Sequence, residues 1–274
     1  MRYLRVIGLC AFSWILFFSC TDAPKNHPFS HDLHMVYEEK SPTKAIICFH
    51  GVGSDYRVKD SISSSVDATL VSFNFPEYKT SSVFDHPEST VYGSIDELLP
   101  ALYVIRNAIV EKGFTQITLY GHSAGGAALI NCLAVLNSSE YDTELNRIAI
   151  ASEDRRKILE VIQKGIVILD TPLKSIEELM AHYGSRKDLN VIGSRYKQNG
   201  MDPINSIEKL GGLSLRVLLH FQIPDKVLSN RDDAKFTEKL QQSHLGTTVI
   251  LEGHEGRHSL PHQALWDYYL KMEF

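Results

Sequence analysis

The sequence predicts an α/β fold: a mostly parallel central sheet with helices on both faces and a small lid insertion. Apolar runs of strand length recur with little polar–apolar alternation, as in strands buried on both faces. Between them lie stretches whose apolar residues recur at helical spacing, as expected of crossovers between parallel strands. The size agrees: 274 residues, 43% hydrophobic and 22% charged, suit one globular domain with an insertion.

Taken in order, "HMVYEE" (34–39) reads as an edge strand. "KAIICFH", Lys44 to His50, is a buried strand followed by Gly51 and Gly53, and "ATLVSFNFP", Ala68 to Pro76, is another. In "GSIDELLPALYVIRNAIVEKG" the residues Ile95, Leu98, Leu99, Leu102, Ile105 and Ile109 mark a helix that Gly113 should stop. "TQITLY" is a strand, "AGGAALINCLAVLN" a helix, and a polar helix pair fills Tyr141 to Lys164. "GIVILD", "SLRVLLHF" and "TTVILE" are three further strands, and "LPHQALWDYYLKME" is a closing helix. The interval 173–212 is too long for a simple connection and is expected to be a lid, with Met180, Tyr183, Val191, Ile192 and Tyr196 forming its own small core or an acyl pocket. "SSVFDHPES" (81–89) carries turn chemistry and is a second candidate loop over the site. Right-handed crossovers bring all the parallel strand C-termini to one edge, where ligands bind.

At that edge "ITLYGHSAGGAALI", Ile117 to Ile130, passes from strand to helix through small residues around Ser123. A sharp strand-to-helix turn brings the two elements close, so Gly121, Ala124, Gly125 and Gly126 supply clearance while the serine is thrust outward. The free N–H groups of the following helix suit developing negative charge. Gly121-His122-Ser123-Ala124-Gly125 matches the G-x-S-x-G nucleophile elbow in its required context. Here the chain resembles the α/β-hydrolase superfamily, over most of Lys44 to Phe274.

The resemblance implies further parts. "CFHGVGSD" (48–55) is similar to the family's H-G turn, which implies an oxyanion hole from the backbone N–H groups of Val52 and Ala124. Each such donor is typically worth roughly 3 kcal/mol. His50 itself is expected to hold that loop by hydrogen bonds rather than to react. The acid is expected at Asp225, in the loop after "LRVLLHF", with Asp170 of "VILDTP" as the alternative position that some members use. Whichever aspartate is not the acid reads as a cap or turn residue. Gly256-Arg257-His258-Ser259 resembles the family's Gly-x-His-Ser loop and makes His258 the expected base, with His254 as alternative.

These parts imply a serine hydrolase that cleaves a carboxylic ester or thioester through an acyl-enzyme on Ser123, with His258 as base and Asp225 as acid. The alternatives are a serine peptidase or amidase on the same fold, or a catalytically inactive binding protein. Epoxide or haloalkane chemistry is disfavoured, because its enzymes place aspartate where Ser123 stands. The expected partner is a small-molecule ester or acyl substrate, with no metal and no organic cofactor. A net charge of −5 with no basic run argues against nucleic acid.

The N-terminus, "MRYLRVIGLCAFSWILFFSC", has Arg2 and Arg5, an apolar run from Val6 to Phe18, then Ser19-Cys20. This is the build of a secretory signal, and the run is short for a permanent span. Ser19-Cys20 resembles the lipobox of bacterial lipoproteins, although Phe17 and Phe18 stand where that pattern favours aliphatic and small residues. The expected organisation is a signal over 1–19, a tether over 20–33 and the hydrolase domain over 34–274. The protein is then exported and anchored in the cell envelope through lipidated Cys20, or otherwise periplasmic or secreted. Cys48 and Cys132 lie in apolar patterns and read as buried thiols, and no Cys or His spacing resembles a zinc site.

Overall fold

The computed structural model describes residues 20–22, 33–52, 54–75, 94–178, 201–243, 246–254, 256–258 and 260–272. The strands are β1 (Cys20–Asp22), β2 (Val36–Glu38), β3 (Lys44–Phe49), β4 (Thr69–Ser72), β5 (Gln116–His122), β6 (Ile166–Asp170), β7 (Arg216–Gln222) and β8 (Thr247–Gly253). They form one sheet in the order β1-β2-β4-β3-β5-β6-β7-β8. From β4 across to β8 every pairing is parallel, and the pairings of β1 with β2 and of β2 with β4 are antiparallel. The expected edge strand at 34–39 therefore sits one place in, with β1 outside it. The helices are α1 (Ile95–Arg106), α2 (Ala124–Leu136), α3 (Asp142–Arg147), α4 (Ser152–Lys164), α5 (Pro203–Ser206), α6 (Asp233–Gln242) and α7 (Gln263–Tyr269).

Alternate residues of the parallel strands feed two cores, because side chains of a strand point to opposite faces. Ala45, Ile47, Phe49, Leu119, Leu169 and Leu219 join a large core with α1, α2, α4 and α6. Ile46, Cys48, Tyr120, Ile168 and Leu218 join a smaller one, covered by Val58 of the 3-10 turn Tyr56–Ser61 and by Leu265, Trp266 and Tyr269 of α7. From β3 to β7 both faces are thus dry, which explains the unbroken apolar runs there, while the edge strand β8 is partly exposed along its length.

Local chemistry sets the helix limits. Ser94 caps α1, its Oγ accepting the Glu97 N–H at 3.3 Å. The helix continues as a π turn (Asn107–Glu111) and ends before Gly113, whose φ of 76° suits a residue without Cβ. All of α2, Ala124 through Leu136, is buried, as demanded by a helix whose one polar side chain is Asn131. Cys48 and Cys132 are buried free thiols whose ionisation burial pushes up. Within the 173–212 interval, Ile204, Ile207 and Leu210 belong to the large core. Asn131 and Asn137 of α2 and its end bond the carbonyls of Met201 and Lys209, both at 2.8 Å. Residues 179–200, with the five apolar residues singled out there, and residues 81–89 lie outside the described residues, as does the 1–19 segment. Among the described residues no helix is long and apolar enough to cross a membrane.

Candidate active site

The sheet gathers the candidate residues by register. β5, β6, β7 and β8 are parallel neighbours, so the segments that follow them leave from one edge. Ser123 follows β5, Asp170 ends β6, Asp225 lies just beyond β7 and His258 just beyond β8.

Ser123 has φ 54° and ψ −124°, a conformation that side-chain-bearing residues rarely adopt and that costs on the order of 1–3 kcal/mol. The surroundings hold it there. Its N–H bonds the Asp170 carbonyl at 3.0 Å, and its carbonyl accepts from Gly126 at 3.0 Å and Leu173 at 3.0 Å. The small residues are required by contact. A Cβ on Gly125 would stand 2.2 Å from the Phe49 carbonyl oxygen, and one on Gly121 would stand 2.7 Å from Gly126 Cα. A Cβ on Gly51 would meet Ser123 Cβ at 2.9 Å, so the turn after β3 lies against the serine. Ala124 is the first helical residue, and its N–H precedes the intrahelical ladder. Val52, the other expected oxyanion donor, is 41% exposed in the turn after Gly51.

Asp225 and His258 are joined: His258 Nδ1–H donates to Asp225 Oδ2 at 2.8 Å, with side chains 9% and 4% exposed. Asp225 Oδ1 accepts from the Val227 and Leu228 N–H groups at 2.7 and 2.9 Å. Burial pushes its pKa up, but the hydrogen bond and charge of His258 and these amides outweigh that, so the carboxyl lies below its usual range. His258 Nε2 is buried and has no hydrogen-bond partner among the described residues. No hydrogen bond joins it to Ser123 Oγ among the described residues. What links the two is His122, next to the serine, whose Nε2–H donates to the His258 carbonyl at 2.8 Å. The His122 and His258 ring centroids are 5.1 Å apart. Burial lowers the pKa of His122 to about 4, so the ring is neutral.

The alternatives are placed elsewhere. His254 is exposed, at 3.4 Å from the Ile223 carbonyl. His50 holds its loop, donating from Nδ1 to the Gly51 carbonyl at 2.9 Å and accepting the Phe75 N–H on Nε2 at 2.9 Å. Burial lowers its pKa to about 4.

Asp170 is neither a cap nor a turn residue but the centre of a buried cluster. Register aligns His122, Asp170 and His220 across β5, β6 and β7. Asp170 Oδ1 accepts from Nδ1 of His220 at 2.7 Å and of His262 at 2.8 Å, and Oδ2 accepts from the Tyr120 hydroxyl at 2.8 Å. Burial pushes the Asp170 carboxyl up; these bonds and the neighbouring imidazoles hold it well below its usual range instead. The ligand-type atoms of Asp170, His220 and His262 lie within 4.8 Å of one another. In this arrangement both Nδ1 atoms carry hydrogen and point it at the carboxylate, so the cluster is complete as a hydrogen-bond centre. Sequence spacing did not show it, because Tyr120, Asp170, His220 and His262 come from four separate segments. One signal was present: three apolar runs close on a polar residue, at His122, Asp170 and His220.

A parallel sheet between two helical layers, with a strained serine after its central strand and an Asp–His pair on later loops, is the α/β-hydrolase fold. No protein-family model and no curated protein sequence matches the chain. Solved structures do. A lipase/esterase from Lactobacillus plantarum superposes with TM-score 0.58 at 14% identity, over 86% of this chain and 92% of that one. An esterase from Thermogutta terrifontis gives 0.57 at 15% identity, over 92% and 88%. An acylaminoacyl peptidase from Pyrococcus horikoshii gives 0.56 at 14% identity, over 84% of this chain and 36% of that one.

Proposed function

We propose that the protein is a serine hydrolase that cleaves a carboxylic ester, or thioester, through an acyl-enzyme on Ser123. One observation carries the reading: Ser123 is held at φ 54° at the head of a wholly buried helix, on the sheet edge that also carries the Asp225–His258 pair. In the proposed reaction Ser123 Oγ attacks the carbonyl carbon as its proton passes to His258 Nε2, the ring nitrogen that has no partner among the described residues. Asp225 keeps hydrogen on Nδ1, so that Nε2 is the basic nitrogen, and stabilises the imidazolium. The N–H groups of Val52 and Ala124 receive the oxyanion. His258 then protonates the leaving alkoxide or thiolate, and the same imidazole deprotonates the water that releases the acid. These groups suffice for the chemistry without a metal or organic cofactor. The structural likeness to lipases and esterases supports an ester substrate.

Amide or peptide cleavage is the second reading, favoured by the likeness to the acylaminoacyl peptidase. We also infer export, with Cys20 lipid-anchored after removal of 1–19; mass spectrometry of the processed N-terminus checks this, and an unmodified Cys20 would refute it. Labelling by a fluorophosphonate tests the enzyme reading: label on Ser123 that disappears in Ser123→Ala supports it. A folded protein that takes no label is instead a binding protein. Rates on p-nitrophenyl esters of increasing acyl length, set against p-nitroanilides, separate esterase from amidase.

A further inference from the structure

Below the Asp225–His258 pair lies a second acid–imidazole pair, Asp170 and His262, that the proposed reaction does not use. Both ring nitrogens of His262 face atoms that only accept hydrogen bonds. Nδ1 is 2.8 Å from Asp170 Oδ1, and Nε2 is 3.0 Å from the Arg257 carbonyl oxygen. A neutral imidazole has one N–H, and two such acceptors require two. The missing hydrogen does not belong on Asp170. That carboxylate already receives the His220 N–H on one oxygen and the Tyr120 hydroxyl on the other, and each donor favours its charged form. The other imidazoles facing the pair are neutral by the same count. His220 Nε2 accepts from the Gln222 amide at 3.3 Å, and His122 carries hydrogen only on Nε2, bonded to the His258 carbonyl. Among the described residues, the titratable groups that face the pair include Tyr120 and His122 from β5, Asp170 from β6 and His220 from β7.

We propose that Asp170 holds His262 as an imidazolium, and that His262 is a positioning residue for the loop carrying His258. The inference rests on the reading of His258 as the base. Two successive carbonyls of that loop are clamped by imidazole N–H groups: Arg257 by His262 and His258 by His122. The His262 and Asp170 side chains are 1% and 0% exposed, so water does not screen the bond between them, and a charge-assisted hydrogen bond is stronger than a neutral one. Released from this clamp, the base loop moves relative to Ser123, and a displacement of an ångström lowers turnover by roughly a hundredfold.

The test combines a spectroscopic and a kinetic measurement. In protein labelled with nitrogen-15 at histidine, held above pH 7.5, a long-range proton–nitrogen correlation is expected to show one ring with both nitrogens protonated. That signal is lost in His262→Gln. Only singly protonated rings would overturn the charge state. In the kinetic arm, His262→Gln is expected to lower kcat by roughly tenfold to a hundredfold with KM little changed. Unchanged kcat would overturn the positioning role. Should that variant not fold, Asp170→Asn serves in its place: kcat falls in the same range and His262 returns to a singly protonated ring. A doubly protonated ring in an enzyme whose Ser123 takes no fluorophosphonate would sink the hydrolase reading and leave the charge state standing.

Discussion

Ser123, His258 and Asp225 make separable predictions at the scale of single side chains. Ser123→Ala and His258→Ala are expected to abolish ester turnover in folded protein, while His254→Ala leaves it, since His254 is exposed and bonds only weakly. Asp225→Asn removes the charged acceptor of His258 Nδ1–H, and a loss of about 10⁴-fold in kcat is expected, the size seen when a triad acid is neutralised. Asp170→Asn should cost far less; a larger loss than in Asp225→Asn would move the acid to β6. The sequence singled out Ser123 through its glycines, and the resemblance to the α/β-hydrolase superfamily pointed to Asp225 and His258 in the loops after the last two parallel strands. The hydrogen-bond centre at Asp170 was not readable, because its partners His220 and His262 are 50 and 92 positions away, one brought in by strand register and the other from the N-terminal end of α7.

At the scale of elements, the approach of α2 to β3 and β5 is the tightest constraint on the candidate site. Gly125→Ala places a methyl group 2.2 Å from the Phe49 carbonyl oxygen, where only a shift of backbone relieves it. The expected outcome is a loss of at least about 3 kcal/mol of stability, or no soluble protein, measured by thermal or urea unfolding. Gly211→Ala is the control, since its nearest neighbour would be the Glu208 carbonyl at 3.7 Å and its φ is ordinary. The apolar runs and helical spacings marked nearly every strand and helix because period and burial agree in a sheet covered on both sides. Helix α6 carried no such mark. Only Phe236 and Leu240 of its residues are buried, too sparse a stripe to stand out from polar sequence.

For the whole molecule, buried imidazoles make stability depend on pH. His50 and His122 have folded-state pKa values of about 4, below the usual imidazole value, because burial disfavours their charge. Between about pH 6.5 and 4 the unfolded chain therefore binds more protons than the folded one. The stability these two groups contribute is full above that window and is lost as pH falls through it, by up to roughly 3 kcal/mol each. Asp170, held low, extends the loss to more acidic pH. Melting temperatures measured from pH 6 down to pH 4.5, where the imidazolium proposed for His262 is charged in folded and unfolded chains alike, should fall steadily, and a flat profile would contradict the neutral, buried state of both rings.

The chain has two tryptophans, Trp14 and Trp266. Trp266 is fully buried, and its ring centroid lies 5.0 Å from that of Tyr120, whose hydroxyl bonds Asp170. In a chain trimmed to begin at Cys20, intrinsic fluorescence comes from one indole on the α7 side of the sheet. It watches that side and is blind to α1, α2, α4 and α6, which dominate the circular dichroism. Comparing the two optical signals during denaturation therefore asks whether both layers let go of the sheet together, with no dye or added label.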